Sequence, residues 1–163
     1  MELKRKFDFR KIVTILYIVA FLVYLIIGLT PADAASYQIS GGLVIPKIEL
    51  ISPVTTLELN DHKLNTPETI VGSYSNAFNK TLLIGHSSTI FKNLSKITGG
   101  DTIYYNDREY TITKTELLKK TDIDMDELLK SETVDTVVIM TCAGQRVGEH
   151  DASHRFIVTA TIN

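Results

Sequence analysis

The sequence predicts an all-β domain, either a sandwich or a barrel, with one or two short helices and with a membrane-spanning helix before it. Three observations lead to this prediction. Short runs of apolar and β-branched residues alternate with turn residues, few segments have helical periodicity, and the chain has no internal repeat. The order of the strands does not follow from the sequence.

An uncharged apolar run at residues 12–29 is about as long as the shortest helix that crosses a hydrocarbon core. Basic residues precede it: Lys4, Arg5, Lys6, Arg10 and Lys11. The next charge after the run is Asp33, so the positive-inside rule places residues 1–11 in the cytoplasm and the rest of the chain outside the cell membrane. Small residues at 32–35 would suit a signal peptidase, but the length of the run favours a retained single-pass anchor in membrane lipid.

A linker of small and polar residues at 30–42 leads to the exported domain, predicted at residues 43–163. The chain is 44% hydrophobic and 22% charged with a net charge of −2, so nothing indicates a nucleic-acid partner. Cys142 is the single cysteine, which excludes a disulfide within the chain, and no cysteine or histidine cluster has the spacing of a zinc site.

The predicted strands follow in order along this domain. The apolar run at residues 43–50 contains Pro46, which indicates an edge or a bend. Further strands are predicted at these places: residues 55–59 after a turn at 52–53, residues 69–71 before a polar stretch at 73–80, and residues 81–85. The second half of the domain contributes a hairpin of residues 102–105 and 109–114, and last strands at 134–141 and 156–162 that are separated by a polar loop at 143–154.

Two segments predict short helices. Residues 87–89 supply a cap for a helix whose apolar stripe falls within residues 91–97 and which ends at the glycines 99–100. Residues 122–130 carry acids first and a lysine last, which complements a helix dipole. Their acidic run lacks the glycine and the final glutamate of a calcium-binding loop, so a solvated helix start is favoured.

Three residues whose side chains could take part in catalysis each stand at a predicted strand boundary. Cys142 ends the run TVVIMTC, His86 follows LLIG, and Arg155 precedes FIVTATI. A thiol, an imidazole and a guanidinium are the components of a cysteine acyl-transfer site. The guanidinium is always charged and makes a durable donor to a developing oxyanion.

Each of these residues also has a structural interpretation. Cys142 could pack as a small hydrophobe, as free cysteines usually do. His86 could be structural, because a lone histidine is more often a structural residue than a base. Arg155 could lie at a strand edge with its charged group in water. Arg108 in a hairpin turn and Arg146 in a loop compete for the guanidinium role, but both are predicted to be solvated. The other histidines are predicted to lie at the surface: His62, His150 and His154.

Three motifs stand in a fixed order along the chain: LLIGHSS around His86, VIMTC ending at Cys142, and RFIVTA from Arg155. Together they resemble the motifs of the sortases, membrane-anchored cysteine transpeptidases of Gram-positive-type cell envelopes, over about residues 43–163. The family usually reads TLxTC before its cysteine. Val138 and Ile139 replace the first Thr and the Leu, and both substitutions suit a buried strand.

The resemblance implies an eight-stranded closed β-barrel, with Cys142 and Arg155 at the ends of neighbouring strands and His86 across a groove. Cys142 would attack the Thr-Gly carbonyl of an LPxTG-like sorting signal and form a thioacyl intermediate, while His86 would protonate the leaving amine and deprotonate the incoming one. Arg155 and the Ala143 N–H would bind the oxyanion or the substrate backbone, and Thr141 would line the groove. No metal or organic cofactor follows from this chemistry, although some family members use calcium.

The implied partners are the sorting-signal peptide of secreted surface proteins and an amine of a peptidoglycan precursor or a pilin. Residues 30–42 lack the Asp-Pro-aromatic motif of lidded pilin polymerases, which favours a compact anchoring-type enzyme. Two alternatives stay open: a cysteine endopeptidase that uses water as acceptor, and a non-catalytic membrane-tethered β-domain that binds peptides. An L,D-transpeptidase is disfavoured because MTCAG around Cys142 lacks the SxGC context of that family.

Overall fold

A computed structural model describes residues 41–60, 63–148 and 151–163. The predicted anchor at residues 12–29, the basic segment before it and most of the linker lie outside these residues, as do His62 and His150. Within the described ranges, none of the helices has the length and apolar character needed to cross a membrane.

The described residues form ten strands, which are numbered in chain order. They are β1 (Gly42–Ile45), β2 (Leu50–Thr56), β3 (Leu59–Asn60), β4 (Lys63–Leu64), β5 (Val71–Ala77), β6 (Lys80–Ile84), β7 (Thr102–Tyr105), β8 (Arg108–Lys119), β9 (Thr136–Arg146) and β10 (Ala152–Ile162). Eight of them close a barrel in the order β1-β2-β5-β6-β9-β10-β8-β7, and β3 and β4 form a separate two-stranded sheet. The expected all-β, eight-stranded closed barrel is therefore confirmed.

Two neighbouring pairs in the barrel are parallel, β2 with β5 and β6 with β9, whereas the other pairs are antiparallel. The pairing of β6 with β9 has the largest consequence for the site. Because the two strands are parallel, their carboxyl-terminal ends lie at the same edge of the barrel. β6 ends at Ile84, and β9 continues beyond Met140, the partner of Ile84.

Pro46 produces the predicted bend, because a 3-10 turn at Pro46–Ile48 separates β1 from β2. The turn predicted at residues 52–53 is wrong, since β2 continues through Pro53. Pro53 is the last residue of β2 paired with β1, and from Val54 onward β2 pairs with β5. A residue without an N–H is tolerated where the strand changes its partner.

The polar stretch after residue 71 is a strand and not a loop. β5 runs through Val71–Ala77, with its first three residues buried and its later residues largely open to solvent. Because one end of this strand is solvated, its sequence lacks the apolar pattern on which strand prediction depends.

The hairpin of β7 and β8 is confirmed. Its turn residues Asn106 and Asp107 have φ values of 50° and 62°, as in a type I′ turn, whose twist matches that of the flanking strands. β8 is longer than predicted and continues to Lys119.

Both predicted helices are shorter than expected. The segment after His86 consists of turns with a single 3-10 turn at Leu94–Lys96, yet its apolar stripe of Phe91, Leu94 and Ile97 is buried. In the second segment, helix α1 covers only Met125–Leu128, and the Asp124 carboxylate caps it by accepting from the Asp126 and Glu127 N–H groups.

Strand β9 is buried on both faces over its first half. Val137 and Ile139 point into the main core of the barrel. Val138 points outward and packs with Leu82 and Ile157 in a second apolar cluster on the outer side of the sheet. Leu64 and Leu128 belong to the segments that cover this cluster. A continuous apolar run is the expected pattern for a strand covered on both sides.

The polar loop predicted at residues 143–154 is wrong over most of its length. β9 continues to Arg146 and β10 begins at Ala152. Ala152 pairs with Arg146 and His154 pairs with Ala143, so β9 has one extra residue there and forms a β-bulge. Gly144 in this bulge has a φ of 78°, a conformation that favours glycine.

Candidate active site

Cys142 and Arg155 are direct cross-strand partners on β9 and β10. Both lie inside their strands, so the expectation that they stand at strand ends is wrong, because the bulged ends of β9 and β10 extend past them. Residues directly opposite each other in an antiparallel pair project to the same face of the sheet. Alternation along β9 puts Cys142 on the outer face with Val138, and along β10 it puts Arg155 there with Ile157.

His86 lies two residues beyond the end of β6. The register pairs Ile84 with Met140 in parallel, so His86 comes level with Cys142. Leu82 and Ile84 belong to the outer cluster, and the same alternation directs His86 to the outer face. Three adjacent strands thus deliver an imidazole, a thiol and a guanidinium to one row.

A buried hydrogen bond ties the histidine segment to the cysteine strand. Thr141 is 5% exposed and its hydroxyl donates to the Gly85 carbonyl over 2.7 Å. Gly85 also allows Ile90 and Phe91 to pack against this backbone, because a Cβ there would lie 2.5 Å from Ile90 Cγ2 and 2.7 Å from the Phe91 ring. The bond joins the residue before His86 to the residue before Cys142.

Thr141→Val is expected to reduce the free energy of unfolding by about 1–3 kcal/mol, because the nearly isosteric side chain leaves the Gly85 carbonyl without its donor. Peptide turnover should fall roughly 10-fold as His86 shifts. Thr141→Ser is the matched control: it should cost about 1 kcal/mol for the lost methyl group and keep turnover. Chemical denaturation and steady-state kinetics measure both quantities. Unchanged stability in the valine variant would show that the bond does not hold this segment.

A groove of about 350 Å³ contains all three residues together with Thr141. The apolar walls of this groove come from two other segments. Leu59 and Leu64 belong to the β3–β4 sheet, and Met125 and Leu129 belong to the connection between β8 and β9. Sequence inspection did not assign these four residues to the site. The sequence indicated them in one way only. β9 is apolar on both faces, so residues from other segments must pack over its outer face.

A second groove of about 250 Å³ meets the first at His86 and Cys142. Polar groups line it, among them Ser87, Ser88, Arg146 and Asp151, together with Ala143. Cys142 and His86 therefore stand between a largely apolar groove and a largely polar one. Ala143 lies beside Cys142 on the polar side, and Thr141 lies on the apolar side.

Arg155 is held in place by the segment before it. Its side chain is 15% exposed, and its Nη2 pairs with Asp151 Oδ1 over 2.8 Å. Hydrogen bonds from Lys120, Arg155 and the Ala152 N–H keep the pKa of the Asp151 carboxyl well below its usual value. The carboxyl is therefore an anion at any pH near neutrality.

Of the competing residues, Arg108 pairs with Asp135, which lies just before the start of β9 and at the opposite end of that strand from Cys142. Tyr110 donates to the same carboxylate, and burial, aided by the charge of Asp135, raises the pKa of Tyr110 to about 12. Arg146 is exposed and lines the second groove. His154 is not a loop residue as expected: it lies in β10, half-buried, with its Nδ1 2.7 Å from Ser153 Oγ.

Among the described residues, no group of three or more His, Cys, Asp or Glu side chains is arranged to hold a metal ion.

Comparisons with known proteins identify a family and a fold. The family model of the Sortase domain matches residues 43–163. No curated protein matches the chain. Among solved structures, the chain is similar to a lid mutant of sortase A from Corynebacterium diphtheriae, with 22% identity and a TM-score of 0.57 over 75% of this chain and 68% of that one.

Sortase A of Listeria monocytogenes is 18% identical, with a TM-score of 0.58 over 76% of this chain and 86% of that one. Sortase C-1 of Actinomyces oris is 23% identical, with a TM-score of 0.57 over 75% of this chain and 72% of that one. At these identities the structural likeness establishes the fold, and the family rests on the domain match.

Proposed function

The chain belongs to the sortase family, and from this premise we propose that it is a cysteine transpeptidase that cleaves an LPxTG-like sorting signal and transfers the acyl part to an amine. One observation carries the proposal. Cys142 is the cross-strand partner of Arg155 and shares with His86 the junction of two grooves. A nucleophile, a proton carrier and a cationic donor at one place are what an acyl transfer needs.

In the first half-reaction the Cys142 thiolate attacks the Thr-Gly carbonyl carbon and forms a C–S bond. The negative charge that develops on the carbonyl oxygen is stabilised by the Arg155 guanidinium and the Ala143 N–H. The C–N bond then breaks, and His86 gives its proton to the departing amine. The products of this step are a thioacyl-enzyme and a free amino-terminal glycine peptide.

In the second half-reaction an amine attacks the thioester carbonyl. His86 takes the proton from the attacking nitrogen, a C–N bond forms, the C–S bond breaks, and the Cys142 thiolate is regenerated. We propose that the donor peptide occupies the apolar groove and that the acceptor amine enters along the polar groove. The first assignment rests on Leu59, Leu64 and Met125, which suit the leucine and proline of the signal.

We further propose that residues 12–29 anchor the enzyme in the cell membrane as a single span, with residues 1–11 in the cytoplasm, a linker at 30–42 and the catalytic domain at 43–163 outside. The donors would then be secreted surface proteins that carry the signal. The acceptors would be amines of a peptidoglycan precursor or of a pilin.

The decisive experiment incubates the full chain in detergent with a library of pentapeptide signals and identifies the acyl adduct by intact mass spectrometry. An adduct on Cys142 that disappears on addition of hydroxylamine is the expected result. No adduct with any peptide, together with peptide binding that survives loss of His86, Cys142 and Arg155, would support a non-catalytic binding domain instead.

Raising the concentration of a glycine-based amine should convert the product from free acid to ligated peptide, because amine and water compete for one thioacyl intermediate. Chromatography with mass detection measures the ratio of the two products. If only free acid forms at every amine concentration, the chain is an endopeptidase that uses water as acceptor.

A further inference from the structure

We propose that Asp151 is a positioning residue for the reaction: its carboxylate fixes the Arg155 guanidinium so that the remaining N–H groups point at the substrate beside Cys142. This inference rests on the proposed function. It adds to the site a residue in the connection between β9 and β10, which none of the sequence motifs includes.

Arg155 donates three hydrogen bonds to described residues. A guanidinium carries five N–H groups in a rigid plane. Nη1 donates to the Ala152 carbonyl over 2.9 Å and to the His154 carbonyl over 3.0 Å, and Nη2 donates to Asp151 Oδ1 over 2.8 Å. Two donors, the Nε–H and one Nη2–H, remain outside these bonds.

The bond to Asp151 differs from the other two in the guanidinium nitrogen that it holds. Both carbonyls bind the same nitrogen, so they hold the guanidinium at one of its two terminal nitrogens. The bond from Nη2 to Asp151 supplies a second fixed point on another nitrogen. Contacts at both terminal nitrogens restrict the orientation of the guanidinium, and with it the direction of the remaining donors, more than contacts at one nitrogen do.

Asp151 is itself held by two further hydrogen-bond donors. Its Oδ1 also accepts from the Ala152 N–H over 2.9 Å, and its Oδ2 accepts from the Lys120 ammonium. Because these donors hold the carboxylate in its charged form, it is a permanent partner of Arg155 across the neutral pH range. Arg155 lines the same groove as Cys142, and among the described residues its other two donors have no hydrogen-bond partner.

Asp151 also lines the polar groove, which offers another role for it, as an anion that attracts the acceptor ammonium. The two roles affect different half-reactions. A positioning residue affects formation of the thioacyl-enzyme, before any acceptor binds, whereas an ammonium site affects only the KM for the amine.

The test is a double-mutant cycle on the full chain with Asp151→Asn, Arg155→Ala and the double variant, in which single-turnover acylation is followed by mass spectrometry. Asparagine keeps the size of the side chain and removes its charge. We expect Asp151→Asn to slow acylation roughly 10-fold in the wild-type background and by less than about 2-fold in the Arg155→Ala background. Asp151→Glu, which restores the charge, should recover part of the rate.

Asp101→Asn is the matched control. Asp101 also accepts a backbone N–H, from Thr98, and pairs with a lysine, Lys47, but it lines neither groove. Its replacement should leave acylation unchanged. An equal loss for Asp151→Asn in both backgrounds, or a loss confined to the KM for the amine, would overturn the positioning role.

A second measurement does not depend on turnover. In the nitrogen-15 spectrum, the Arg155 Nη–H resonances are identified by their loss in Arg155→Ala. In the wild type they should be resolved, as expected for a fixed guanidinium. They should broaden in Asp151→Asn and persist in Asp101→Asn. Resolved resonances in Asp151→Asn would contradict the proposal even if the chain proved not to form a thioacyl-enzyme, in which case the proposed function alone would fail.

Discussion

Cys142→Ala is expected to abolish cleavage of a sorting-signal peptide, with a loss of at least about 10⁴-fold in kcat. No other thiol is present in the chain that could replace it. The loss in kcat is large because the alanine variant has no group able to form the covalent intermediate. The reaction then loses its two-step path, and not merely one stabilising contact. A loss of this size can be measured if the reaction is sampled over hours and the cleaved peptide is quantified by chromatography.

The controls for this variant separate chemistry from folding. The thiol projects from the outer face of β9 and is only partly buried, so its removal should leave the barrel and its unfolding transition nearly unchanged. A methanethiosulfonate reagent should label the wild type once and the alanine variant not at all. Full turnover by Cys142→Ala would contradict the assignment of the nucleophile and with it the proposed mechanism.

The strand that carries this cysteine shows how far the sequence could predict the site. The run VVIM at residues 137–140 is apolar at every position, which indicates a strand buried on both faces. The end of the strand could not be predicted in the same way. Ala143 is partly buried, residues 144–146 are exposed and the pairing contains a bulge at Gly144, so the apolar pattern stops four residues before the strand does.

The same limit applies to the walls of the groove. Leu59 and Leu64 are far from Cys142 in sequence and belong to strands of two residues, too short for a period-2 pattern to be recognised. Met125 is the first residue of helix α1, which has only four residues and no buried side chain of its own. Such segments take their positions from the surface that they cover, here the outer cluster around Val138, and not from local propensity.

Asp151 illustrates a third limit. A carboxylate in a polar connection is usually solvated, and nothing in the sequence distinguishes it from its neighbours. Its role follows only from the fold, because the pairing of β10 with β9 turns Arg155 back over the residues that precede it. The motifs predict His86, Cys142 and Arg155 as site residues, whereas they do not include Asp151, which we propose to orient Arg155.

His86→Ala is expected to lower kcat for an amide substrate by about 10²–10⁴-fold, the range found when a positioned acid or base is removed. His86 follows β6 at the level of Cys142, where it can reach both the scissile nitrogen and the acceptor. The role as proton donor makes a sharper prediction. If the amide is replaced by an activated thioester, whose leaving group departs as a stable anion, acylation of His86→Ala should come within roughly 10-fold of the wild type, because no proton has to be supplied.

This comparison requires that the thiol be equally reactive in both proteins. Alkylation of Cys142 by iodoacetamide reports its thiolate independently of any peptide, and each acylation rate is divided by the alkylation rate of the same protein. His154→Ala serves as the matched control, since His154 lies in β10 beside Arg155 but lines neither groove. If the normalised deficit of His86→Ala were as large with the thioester as with the amide, His86 would not be the acid that protonates the leaving amine.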